Sequence, residues 1–235
     1  MKVLIVEPEF EGHHISLYLR LILKEMIKKN IEFRIFTTKK TISSQPFKLI
    51  DNELSIKKKT LCMQGSISLK NKSLLNLILF QIRYFLFIRR NLKFARQNFK
   101  YDVVYFGHLD PFIFIFSIFS NFFQEKIITG LLCNIRFYQS AYKIKKFEFI
   151  DIIKFFLFNL SLYSSRLKKI FIVDELFFKY LNKKLSKSLL NKVTFVSEAC
   201  HLLKTSSNNF RYKFRIKKRD KVILLYGDLK KRKGA

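Results

Sequence analysis

Lys2 to Pro8 is a nearly unbroken apolar run, the pattern of a parallel strand buried on both faces. A turn over 9–14 containing Gly12 follows. Apolar residues then recur at Ile15, Leu19, Ile22, Leu23, Met26 and Ile27, a spacing that predicts a helix over 15–29. Residues 31–38 read as a second strand. The alternation resumes with a helix near 74–98, a strand at 101–106, a helix at 111–123 and a strand at 126–133. A helix at 147–167, a strand at 169–173, a short helix at 177–185 and a strand at 192–196 continue it. Residues 41–73 are polar and irregular, with short extended pieces predicted at 49–56 and 60–62. Strands alternating with helices predict an α/β fold: a doubly wound, Rossmann-like parallel sheet with helices on both faces.

Three apolar segments invite a membrane-spanning reading: 74–88, 109–123 and 147–163. The first is interrupted by Gln81 and Arg83, the third by Asp151 and Lys154. The second is too short for the roughly 20 residues a spanning helix needs. Amphipathic helices are expected instead. In 74–98, Leu74, Leu75, Ile78, Ile82, Phe85 and Leu86 repeat at helical spacing while Arg83, Arg90, Lys93 and Arg96 gather elsewhere. Such a cationic face suits either water or an anionic lipid surface.

Composition adds one strong signal. With 46 Lys and Arg against 17 Asp and Glu, the net charge is +29, which implies a polyanionic partner: nucleic acid, an anionic membrane or a phosphorylated substrate. Abundant Lys, Ile, Phe and Asn together are also what a nucleotide-biased genome produces. The hydrophobic fraction of 49% supports a packed core and excludes a disordered chain. Cys62, Cys133 and Cys200 are widely spaced and odd in number, so neither a disulfide framework nor a zinc site is expected, and a reducing cytoplasm is the natural location. The apolar run at the amino terminus is too short for a signal peptide and ends in Glu7.

Residues 204–221 hold Ser206, Ser207, Asn208 and Asn209 followed by a dense basic run, the composition of a linker. A strand at 222–226 then leads into Gly227 and the basic turn ending Lys233-Gly234-Ala235. The expected organisation is a Rossmann-like domain over 1–203, a linker over 204–221, and the start of a second domain over 222–235. Twelve basic residues against Asp220 and Asp228 place about a third of the excess charge in 204–235.

The turn Glu11-Gly12-His13-His14 falls at the carboxyl edge of the first strand, where doubly wound sheets bind ligands. Gly12 permits close backbone approach, and His13 and His14 can donate to hydroxyls or phosphates or exchange protons near neutral pH. The alternative is that one histidine caps the helix and the other packs. A metal site is not expected, because adjacent histidines rarely chelate one ion and His108 and His201 lie elsewhere. A receiver-domain reading lacks the acidic cluster that binds magnesium. A nicotinamide-cofactor reading lacks G-x-G-x-x-G, since the turn has a single glycine.

Taken in order, Lys2–Pro8 with Gly12-His13-His14, Tyr101-Asp102-Val103-Val104, Ile170–Val173 with Asp174-Glu175, and Val222–Gly227 with Lys233-Gly234 resemble the GT-B glycosyltransferases. The likeness is to the large retaining group, family 4-like, that uses nucleotide-sugar donors. The resemblance implies an acceptor-binding domain followed by the first strand and turn of a donor-binding domain, the rest of which is expected to be truncated. It implies donor-diphosphate binding by Gly12, Arg232 and Lys233, with His13 and His14 in the acceptor or donor pocket. A fixed cation there would stabilise the charge that develops on the diphosphate as the glycosidic bond breaks. Two departures stand out. Asp228 follows Gly227 where many members carry arginine, and Leu131 occupies the position of a pocket histidine.

The resemblance therefore implies transfer of a sugar from a nucleotide-sugar to a lipid-linked or polysaccharide acceptor at the cytoplasmic face of a membrane. No cofactor beyond the donor substrate is implied, no catalytic residue is assigned, and the chain alone is expected to be inactive. A nucleic-acid-binding protein using the basic tail is the alternative, although no helix-turn-helix, RNP-like strand or zinc finger supports it. An inactive acceptor-domain remnant is a third.

Overall fold

The structure is a computed structural model that describes residues 1–8, 14–65, 74–133 and 135–197. All of them lie within one compact unit, Met1–Ala199. Its centre is a seven-stranded sheet of β1 (Lys2–Glu7), β2 (Glu32–Thr37), β3 (Thr60–Cys62), β4 (Val103–Phe106), β5 (Ile128–Leu132), β6 (Leu167–Ile172) and β7 (Val193–Phe195). The strands run parallel in the order β3-β2-β1-β4-β5-β6-β7. Ile5 pairs with Ile35 on one side and Tyr105 on the other, so β1 lies inside the sheet and its apolar run is fully buried.

The side-chain period of two along each strand divides the core between two faces. On the first face Val3, Ile5, Phe33, Ile35, Tyr105 and Leu131 meet three helical segments. These are a π-helix (His14–Leu19), α1 (Arg20–Lys28) and α3 (Gln45–Leu54), which bring Ile15, Leu19, Leu23, Phe47 and Ile50. The second face is larger and rich in phenylalanine. There Leu4, Val6, Val104, Phe106, Ile170 and Ile172 pack beneath α4 (Leu74–Asn98), α5 (Ile113–Phe119), α6 (Phe149–Tyr163) and α7 (Glu175–Lys184). Phe112 is central there, with ring centroids 4.9 Å from Phe106, 5.8 Å from Tyr84 and 6.2 Å from Phe116. Helices thus cover both faces, which makes the sheet doubly wound.

Two expectations are corrected. Most of the stretch 49–56 is helical rather than extended, with α3 running to Leu54, because Thr38 caps α2 (Lys39–Ser43) and Ser44 caps α3, with Pro46 in its first turn. Phe47, Ile50 and Leu54 then recur at helical spacing against the sheet. The first helix begins as a π-helix, a widened form often found beside functional sites. In α4, Phe85, Ile88, Leu92 and Ala95 are buried, but Leu86, expected in the core, faces outward. The strand expected at 222–226 and the boundary at 203/204 lie outside the described residues.

Candidate functional site at the carboxyl edge

Connections from β1 lead to β2 on one side of it, and β4 lies on the other, so the order of the sheet reverses between β1 and β4. Ligands of doubly wound sheets bind outside the carboxyl ends of the strands at this point. Here β1 ends in Glu7, which is fully buried, and β4 runs into the loop Gly107-His108-Leu109-Asp110.

That loop is tied to the strands beside it. The Gly107 N–H donates to the Val6 carbonyl of β1 at 3.0 Å, and the Leu109 N–H donates to the Leu131 carbonyl of β5 at 2.9 Å. Two glycines make the close approach possible. A Cβ at Gly107 would overlap the Glu7 carboxylate. A Cβ at Gly130 would lie 2.9 Å from the Phe106 carbonyl oxygen and 3.3 Å from Leu109 Cβ. The sequence thus keeps side chains out of the space where a carboxylate and the loop must meet.

His108 and Asp110 form the chemical pair of this edge. His108 Nε2 lies 2.9 Å from Asp110 Oδ2, and the same oxygen accepts the Cys133 N–H at 3.0 Å just past β5. The side chains retain only 16% and 11% exposure, so the pair is held in place. A carboxylate at this distance fixes the orientation of the ring. Beneath it Tyr105 is held well above the usual phenol range, first by burial and then by the negative charge of Glu7 and the nearby Cys133. Tyr105 therefore remains a neutral phenol at every ordinary pH.

Farther along the edge, Asp174 turns out to be structural. Its Oδ1 caps α7 by accepting the Phe177 N–H at 3.0 Å, and its Oδ2 accepts the Tyr138 hydroxyl. Glu175 pairs with Lys179 one turn on, at 2.7 Å. The Asp174-Glu175 element of the sequence pattern thus builds the start of a helix.

Of the residues singled out from the sequence, Gly12, His13, Arg232 and Lys233 lie outside the described residues. His14 opens the π-helix by its backbone. Leu131 is buried in β5 beneath the site. His108 and Asp110 went unrecognised as a pair, although a Gly-His-x-Asp sequence directly after an apolar strand was available to find them. Among the described residues, no three His, Cys, Asp or Glu side chains converge as a metal site would require.

A second polar feature occupies the opposite, amino edge. Leu86, Arg89, Arg90, Lys93 and Arg96 of α4 line a groove of about 420 Å³ with Phe122, Gln124 and Glu125. Glu125 is buried and engaged, by the Arg96 guanidinium and by the Tyr101 hydroxyl at 2.8 Å. The groove is therefore a cationic surface with one internal counterion, remote from His108.

No family model matches the chain, and no curated protein does. Among solved structures it is similar to the glycotransferase of kitacinnamycin, at 10% identity and a TM-score of 0.49, covering 88% of this chain and 53% of that one. It is also similar to the UDP-GlcNAc 2-epimerase of Methanocaldococcus jannaschii in complex with UDP-GlcNAc and UDP, at 16% identity and a TM-score of 0.46, covering 83% and 46%. The chain spans about half the length of each. At this degree of similarity they assign no role to any residue here.

Proposed function

We infer that this chain is the acceptor-side part of a glycosyltransferase that takes a sugar from a nucleotide-sugar and passes it to a lipid-linked or polysaccharide acceptor. The carrying observation is the His108–Asp110 pair, fixed over the point where the sheet order reverses and beside the buried Glu7. In this reading residues 1–203 hold the acceptor, 204–221 link, and 222–235 begin the donor side. The acceptor hydroxyl gives its proton to the His108–Asp110 pair as its oxygen bonds the anomeric carbon, and the bond from that carbon to the nucleoside diphosphate breaks. By the sequence resemblance, Gly12, Arg232 and Lys233 are assigned to the diphosphate, whose charge grows in the transition state, and His13 and His14 to the acceptor or donor pocket.

Titration of nucleoside diphosphate sugars by calorimetry into this chain joined to a complete donor-binding domain, followed by transfer assays with the donor that binds, tests this directly. His108→Gln is expected to keep donor affinity while lowering turnover about a hundredfold or more, the scale of a lost proton-transfer group. Lys233→Ala is expected to weaken donor binding. Binding of no nucleotide-sugar would overturn the reading, and full turnover in His108→Gln would remove His108 from it.

A second reading rests on the amino-edge groove, whose four cations fit a phosphate backbone. It predicts salt-sensitive binding of duplex DNA that Arg89→Ala with Lys93→Ala abolishes.

A further inference from the structure

Helix α6 carries apolar residues on two opposite sides. Its inner side buries Phe158, Ser161 and Leu162. There Ser161 Oγ receives the Ser117 N–H of α5 at 3.2 Å and itself donates to the Leu157 carbonyl at 3.0 Å. The opposite side carries Phe149, Ile152, Ile153, Phe156, Leu160 and Tyr163, and all of them are exposed, Phe149 to 72% and Phe156 to 58%. At 100° per residue these six fall within a stripe about 100° wide that runs the length of the helix, about 22 Å. No charged or amide side chain interrupts it. A helix apolar on both sides is ordinarily buried on both, and isolated exposed apolar residues are common where a continuous stripe is not.

The surroundings state what covers it. Leading into α6, Lys143 and Lys146 are exposed and interleave with the exposed Ile144 and Phe147. The acids nearby are otherwise engaged: Asp151 is buried, with Lys145 Nζ 2.7 Å away, and Glu148 closes a capping box with Asp151. A second copy of the chain would bring another +29 of charge against these lysines. An anionic lipid surface offers the opposite charge to the lysines and an acyl boundary to the stripe.

We propose that the outer face of α6, with Lys143 and Lys146 at its entrance, docks this protein on an anionic bilayer, the helix lying along the headgroup boundary. Among the described residues no helix is long and apolar enough to cross a membrane, so the attachment is to one leaflet. This places lipid contact on α6, whereas the sequence pattern had pointed to the cationic face of α4. The proposal extends the acceptor reading to a surface, and its test needs no nucleotide-sugar, so either can fail without the other.

The chain contains no tryptophan, so one introduced residue reports alone. Phe156→Trp on the stripe and Leu49→Trp on the outer side of α3, which is 58% exposed, form a matched pair. With vesicles of phosphatidylcholine and phosphatidylglycerol, Phe156→Trp is expected to shift to the blue and to be quenched by brominated acyl chains. Leu49→Trp should do neither. In sedimentation with the same vesicles, Ile152→Ser with Phe156→Ser, and separately Lys143→Glu with Lys146→Glu, are each expected to lower binding about tenfold or more, with far-UV circular dichroism unchanged. Phosphatidylcholine alone should bind weakly. Emission from Phe156→Trp that is already blue in buffer would show another protein surface on the stripe and overturn the proposal. So would vesicle binding that these double substitutions leave intact, or no vesicle binding at all.

Discussion

Helices α1 and α3 on one face of the sheet, and α6 on the other, solve the same packing problem with opposite outer surfaces. Between α1 and α3, Glu53 receives Arg20 Nε at 2.5 Å and also pairs with Lys24, so the side turned from the sheet is knitted by charge. On α6 the side turned from the sheet carries phenyl and aliphatic groups. Both inner sides bury apolar residues completely. The difference teaches that burial against the sheet decides whether a helix belongs to this fold, while its outer side decides what the protein meets next.

The strongest way to break the comparison is inside the phenylalanine-rich face. Phe112→Ala is expected to destabilise the protein by about 3–5 kcal/mol in urea unfolding, because Phe106, Tyr84 and Phe116 cannot close over the space it leaves. Gly130→Ala comes next, at about 1–3 kcal/mol, since the added carbon meets backbone at Phe106. The same substitution should depress any turnover, as it displaces the loop that carries His108.

A smaller effect lies on the charged side. The Arg20 and Lys24 partners hold the Glu53 carboxyl down at about 2. A depressed carboxylate contributes stability above its unfolded value, near 4.3, and loses it as pH falls towards 2. The α1–α3 contact should therefore loosen over that acid window, and Glu53→Gln should flatten the loss when both are followed by circular dichroism. Smallest of all is Ile152→Ser, expected to change stability in water by no more than about 0.5 kcal/mol. A residue so apolar and yet so dispensable to folding would sharpen the contrast with Phe112 most clearly.

Much of the sheet was legible in the sequence because buried parallel strands leave continuous apolar runs, as Val3–Val6 and Ile170–Val173 do. The helices α2 and α3 were not. Their buried residues are sparse, and the signals that begin them, Thr38, Ser44 and Pro46, are single polar or ring residues that resemble loop composition. The His108–Asp110 pair escaped for a different reason: its meaning depends on β1 and β5 converging on one loop, and no local pattern states that neighbours in the sheet are β1 and β4. The donor-side residues Arg232 and Lys233 remain proposals of sequence alone.

The loop that carries His108 is irregular by shape, yet its amides at Gly107 and Leu109 continue hydrogen bonding to β1 and β5 beyond Phe106, the last residue of β4. Those two amides should exchange with deuterium as slowly as the interior of the sheet, because releasing either requires the strands themselves to part. The His108 imidazole is thus carried on backbone that shares the positional order of the sheet's interior.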